Sequence, residues 1–159
     1  MNPEPIAQRD LVLIRRFHAR RELVWRTFSE PELLEQWWGP ENFTSTITRF
    51  DFRPEGEWHV TMRSPEGTER FIRYQYIEIR EPERIVYRPL RPPDAILRPN
   101  LPPTYVATLT FEATDSGETV FTMRAEFGSV AERRTASTGG FAVGTGQAFD
   151  RLERLLATL

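Results

Sequence analysis

Between Phe43 and Phe127 apolar side chains recur at every second position, and this period constrains the fold more than any other feature of the chain. Tyr105, Ala107, Leu109 and Phe111 alternate with Val106, Thr108, Thr110 and Glu112. Phe121, Met123, Ala125 and Phe127 alternate with Thr122, Arg124 and Glu126. Strands with one dry face and one wet face belong to an antiparallel sheet. Turn signals at Pro54-Glu55-Gly56, Pro65-Glu66-Gly67 and Asp115-Ser116-Gly117 each end in a glycine able to take a positive φ. They predict strands near 43–53, 56–63, 68–80, 84–88, 104–114 and 118–127, after a first strand at 11–17.

Helical spacing appears in three places. Residues 20–28 carry Leu23, Val24 and Phe28 on one face, with Glu22 and Arg26 placed to pair at i,i+4. Ser29 and Glu32 form a capping-box pattern, which predicts a second short helix through Leu33, Leu34, Trp37 and Trp38 until Gly39-Pro40 stops it. Residues 141–159 set Phe141, Thr145, Ala148, Phe149, Leu152, Leu155, Leu156 and Leu159 along one stripe of a long terminal helix. A single sheet cannot bury its apolar face alone, and this last helix is the element long enough to cover it. The expected fold is therefore α+β: a curved antiparallel sheet of about seven strands wrapped round a C-terminal helix. Two short helices follow the first strand, and a cavity lies between sheet and helix.

The segment 89–103 breaks the pattern, because six of its fifteen residues are proline. It is expected to form neither a helix nor an inner strand, and reads either as a mobile flap whose Ile96 and Leu97 could dip into the cavity mouth or as a disordered insertion with no role. Residues 1–9 read as a flexible N-terminus and 10–159 as one domain.

Composition narrows the chemistry. The 159 residues contain no cysteine, which removes disulfides, zinc–thiolate sites and thiol nucleophiles. All 21 basic residues are arginine, so Schiff-base catalysis and a phosphate-binding lysine are excluded. Two histidines are too few for a His-rich metal site, and neither a metal nor a cofactor is expected. With a net charge of −2 and no long apolar run, nucleic acid and membrane are not expected partners, and a cytoplasmic location is expected.

Four motifs resemble a known family. Arg15-Arg16-Phe17 … Glu22-Leu23-Val24-Trp25 with Trp37-Trp38-Gly39-Pro40 resembles the opening of the activator of heat-shock protein 90 ATPase homologue family. Asp51-Phe52-Arg53-Pro54-Glu55-Gly56-Glu57-Trp58 is similar to its D-x-R-P-G-G-x-W hairpin, and Glu78-Ile79 … Pro82-Glu83-Arg84-Ile85-Val86 to its E-I-x-P-P-E-R-L-V turn. Gly144 … Asp150-Arg151-Leu152 is similar to its G-W-x-x-x-L-D-x-L ending. The resemblance covers residues 10–157 and implies the START-like helix-grip fold with a ligand cavity. Three positions depart from the pattern: Glu55 replaces a glycine, Tyr74 a glycine, and Thr145 a tryptophan. If Tyr74 and Thr145 both face the cavity, volume has moved from helix to sheet.

The residues expected to line the cavity are Trp37, Trp38, Trp58, Val60, Met62, Tyr74, Tyr76, Tyr105, Met123, Phe141, Thr145 and Phe149. Trp58, Val60 and Met62 share one strand face, and the tyrosine hydroxyls need partners if buried. His59 has the opposite parity and is expected to face solvent. The function expected is non-enzymatic binding of a small apolar or aromatic molecule, with homodimerisation as a further interaction. The alternatives are a cyclase- or hydrolase-type enzyme, for which Glu78, Arg73 and Tyr76 are the candidates, or a co-chaperone-like interaction module.

Overall fold

The computed structural model describes residues 6–92 and 103–159. A short helix α1 (Ile6–Arg9) leads into strand β1 (Asp10–Phe17), followed by α2 (Arg21–Ser29) and α3 (Pro31–Trp37). The sheet continues with β2 (Thr44–Phe50), β3 (Glu57–Arg63), β4 (Glu69–Arg80), β5 (Arg84–Leu90), β6 (Tyr105–Ala113) and β7 (Thr119–Phe127). Helices α4 (Val130–Thr138) and α5 (Phe141–Leu156) complete the chain.

The seven strands pair antiparallel in the order β1-β7-β6-β5-β4-β3-β2. Register shifts between Ile47 and Arg49 and between Tyr76 and Glu78 mark β-bulges, which sharpen the local twist and help the sheet to curve. The inward positions of β3, β6 and β7 are Trp58, Val60, Met62, Ala107, Leu109, Phe111, Phe121, Met123, Ala125 and Phe127. All are buried in one apolar core. On this concave face α2 packs on β6, α3 on β2 and α5 on β1, so the helix-grip expectation holds.

Several local expectations are corrected. Gly56 does not take the left-handed conformation; Glu55 does, at φ 68°, while Gly67 and Gly117 follow expectation at φ 90° and 80°. Gly56 is needed for space instead, since a Cβ there would lie 2.2 Å from the Asp51 carbonyl oxygen. Ser29 does not cap α3. It ends α2, and the extended residue between the helices is Glu30. Arg26 pairs with that Glu30 rather than with Glu22, its Nε donating at 2.5 Å.

Pro89 and Leu90, assigned to the irregular segment, belong to β5 and pair with Tyr74 and Arg73 of β4. The β5–β6 ladder stops at Tyr87 and Ala107, so beyond it β5 is an edge where the missing proline N–H costs nothing. The rest of the expected flap, residues 93–102 with Ile96 and Leu97, lies outside the described residues. Ile6–Arg9 of the expected tail form α1, and residues 1–5 also lie outside the description. Helix α4 was not anticipated.

Candidate ligand-binding site

The site is built on the period of two. Trp58 on β3 stands opposite Tyr74 on β4, and Tyr76 stands opposite Tyr87 on β5. Every one of these rings points to the concave face and is buried. Trp58 stacks on Tyr74 with centroids 4.3 Å apart and lies 5.4 Å from Tyr76 and 5.2 Å from Tyr87.

Trp38 enters this wall from the helical side. As the residue that ends α3 it leaves the helix with extended backbone, and Gly39 follows at φ 96°. Its ring meets Trp58 at 5.0 Å, Tyr74 at 5.6 Å and Tyr87 at 6.4 Å, all edge-on. Trp37 sits deeper, its ring edge-on to that of Trp38 at 5.5 Å. It is fully buried against Phe28 and donates its indole N–H to the Thr27 carbonyl at 2.9 Å. The adjacent tryptophans thus divide their work: Trp37 fills the core and Trp38, half-buried, closes the site.

Arg151 of α5 holds that closure. Its Nη1 donates to the carbonyls of Trp38, Gly39 and Pro40 at 3.1, 3.0 and 3.1 Å, and its Nη2 to that of Gln36 at 3.2 Å. These are carbonyls at the end of α3 and in the turn beyond it, so one guanidinium serves as the C-terminal cap of that helix. Ser45 adds a hydroxyl bond to the Trp38 carbonyl at 2.7 Å.

Three phenols converge below Trp38. The Trp38 ring meets Tyr74 and Tyr87 edge-on, and Tyr105 interacts with both of these phenols. Burial drives Tyr74, Tyr76 and Tyr87 well above the ordinary phenol value, and Tyr105 rises for the same reason. Near neutral pH these hydroxyls are therefore neutral donors and acceptors, unsuited to serve as bases.

The remaining expected residues fall around this cluster. Val60, Met62, Met123 and Phe149 are buried in the same core, with Phe149 5.0 Å from Phe121. Phe141, at the start of α5, contacts Tyr105 at 4.9 Å and Phe127 at 5.5 Å. Thr145 is half-buried on α5. Sequence reasoning missed Tyr87 and Arg151, although Tyr87 shares its parity with Ile85.

The interior is nearly full. Among the described residues a void of about 10 Å³ remains, with Trp38, Trp58, Tyr76 and Tyr87 in its wall. A second hollow, open to the surface and about 620 Å³, lies where β5 and β6 separate; Arg88, Leu90, Tyr105 and Phe127 line it. Tyr105 faces both hollow and phenol cluster.

The enzyme candidates do not come together. Glu78 sits on the convex face between Arg84 at 2.9 Å and Arg80 at 3.4 Å. Arg73 lies near Glu57, which accepts from His59 at 2.9 Å and is held below the usual carboxylate range chiefly by that bond. His59 is on the convex face as expected, but Glu57 and the Phe71 ring cover it rather than open solvent. Among the described residues no acidic or histidine cluster is placed to hold a metal.

Fold and site together define a helix-grip α+β domain with an aromatic interior. The family model described as Activator of Hsp90 ATPase homolog 1-like protein matches residues 18–157, and the chain belongs to that family. A crystal structure of a Nitrosomonas europaea protein is similar at 30% identity with a TM-score of 0.79, covering 99% of both chains. The solution structure of an Arthrobacter aurescens protein shares the fold at 21% identity with a TM-score of 0.86, covering 99% of this chain and 91% of the other. The crystal structure of the AHSA1 protein of Silicibacter pomeroyi does so at 21% identity and TM-score 0.72, covering 94% and 98%. A search of curated proteins gives no match.

Proposed function

We propose that the chain binds a small apolar or aromatic molecule between the concave face of the sheet and the α3–α5 side, without chemistry. The observation that carries this reading is the wall formed by Trp38, Trp58, Tyr74, Tyr76 and Tyr87, apolar in its faces and neutral in its few polar atoms. Ligand pockets are of this kind, mostly apolar with a small number of placed polar groups. They also measure roughly 300–1,000 Å³, so a side chain must vacate the interior to make room. Trp38 is the one to move. It is half-buried and stands at a helix end beside a left-handed glycine, whereas Trp58 and Tyr74 are locked in a sheet ladder.

Native mass spectrometry of gently purified protein tests the reading. A copurified small molecule, or a one-to-one adduct with added N-phenyl-1-naphthylamine, is the expected result. Absence of both would contradict it.

A co-chaperone-like role is the second reading, supported by the family description alone. Stimulation of a purified chaperone ATPase by this chain would favour it. Homodimerisation and a cytoplasmic setting remain parts of the proposal; no helix among the described residues is long and apolar enough to cross a membrane.

A further inference from the structure

Trp58 holds a polar atom that the protein leaves unserved. Its ring is 3% exposed and stacked on Tyr74. The Trp37 indole donates to the Thr27 carbonyl, but the Trp58 Nε1–H has no hydrogen-bond partner. Buried donors are nearly always paired, and one left unpaired asks for an explanation.

The surroundings supply one. Trp58 forms part of the wall of the interior void, together with Trp38, Tyr76 and Tyr87. At about 10 Å³ that void is at the lower limit for a single water molecule. A tryptophan whose buried indole N–H finds no acceptor in the protein, in the wall of a space that Trp38 also lines, is placed as an anchor.

We propose that Trp58 is the polar anchor of the ligand. Resting on the binding reading above, this assigns the ligand class: a flat, neutral molecule bearing one hydrogen-bond acceptor, such as an aryl ketone, ester or nitrogen heterocycle. The acceptor takes the Trp58 Nε1 proton, and the ring system occupies the space that Trp38 vacates. Neutrality follows from the walls. The groups around Trp58 are rings and phenols, and an ionised ligand buried among them would lack a counter-charge. Flatness follows from the stacked and edge-on ring faces, which reward an aromatic partner.

Two probes of nearly equal size separate the anchor from plain hydrophobic binding: 2-acetylnaphthalene, which carries a carbonyl, and 2-ethylnaphthalene, which does not. Binding of each to the full chain is measured by titration, and the ¹⁵N-labelled indole signals are assigned by through-bond experiments. The ketone is expected to bind about tenfold more tightly, the cost of leaving the donor unpaired. The Trp58 Nε1 proton shifts downfield with the ketone and not with the hydrocarbon. In Trp58→Phe the two probes bind alike. Equal affinities in the unaltered protein, an unmoved Trp58 signal with the ketone, or a ketone preference that survives Trp58→Phe would each overturn the anchor while leaving the binding reading intact. If Trp58→Phe fails to fold, the indole signal of the unaltered protein decides. Failure of both probes to bind would remove the binding reading and the anchor with it.

Discussion

The guanidinium of Arg151 donates to the carbonyl oxygen of Trp38 at 3.1 Å, joining the terminal helix to the residue that closes the aromatic interior. The same side chain reaches Gly39, Pro40 and Gln36, so the terminal helix fixes the backbone from which the Trp38 ring projects. Arg151 flanks the apolar stripe of α5, one turn from Leu155, and is half-buried there.

Arg151→Met keeps the aliphatic stem and removes the bonds. It is expected to destabilise the fold by about 2 kcal/mol, the scale of hydrogen bonds to a charged group lost from partly buried acceptors. Urea unfolding measures this, and a midpoint equal to that of the unaltered chain would show that the cap is dispensable.

The hairpin before β3 makes a paired prediction. Glu55 carries a positive φ that glycine would adopt without strain, so Glu55→Gly is expected to stabilise by about 0.5–1 kcal/mol. Gly56→Ala drives a methyl against the Asp51 carbonyl and is expected to cost at least about 2 kcal/mol. Thermal or urea unfolding of both variants should move in opposite directions. Shifts of the same sign would mean that the strain has been placed on the wrong residue.

The fold was largely legible because the period of two survives in every long strand, and parity alone placed Trp58, Val60 and Met62 inward. Local caps were harder. The pattern S-x-x-E occurs at Ser29–Glu32 and at Ser129–Glu132, but only the second is used as a cap. Ser129 accepts from the Glu132 N–H at 3.1 Å, and Glu132 accepts from the Gly128 N–H at 3.0 Å. Ser29 is still helical, and so cannot take the extended backbone a cap needs. Helix α4 escaped notice because Ala136 is its only buried residue among those described, which leaves no apolar stripe. Tyr87 lay inside the predicted strand 84–88 and was missed because the parity it shares with Ile85 was not followed there; the prolines cost only Pro89 and Leu90 at the strand's end. Arg151 could not have been found at all, since its bonds are to backbone carbonyls more than a hundred residues away.

Three of the four tyrosines are buried and the fourth, Tyr105, is half-buried beside them; all ionise above the ordinary value of 10.0, first because of burial. The unfolded chain therefore gives up its phenolic protons first. Their contribution to stability is intact below about pH 10 and declines as pH rises beyond it. Absorbance near 295 nm should show no tyrosinate in the folded protein around pH 10, then a cooperative rise that coincides with loss of circular dichroism. Gradual ionisation while the fold persists would contradict the buried cluster.

Trp38→Ala tests the plug. Truncating a half-buried indole is expected to cost about 2–3 kcal/mol, below the range for fully buried tryptophan. The emptied space should let N-phenyl-1-naphthylamine associate several-fold faster in stopped-flow fluorescence. An unchanged association rate in a folded variant would place the point of access elsewhere.

The most direct test of the central claim is an equilibrium titration of the unaltered protein with N-phenyl-1-naphthylamine, following probe fluorescence and tryptophan emission together. Binding inside the aromatic wall predicts saturation near one equivalent, with tryptophan emission changing in step because Trp38 and Trp58 border the site. A non-saturating signal, or saturation with tryptophan emission unmoved, would contradict a binding site in the interior.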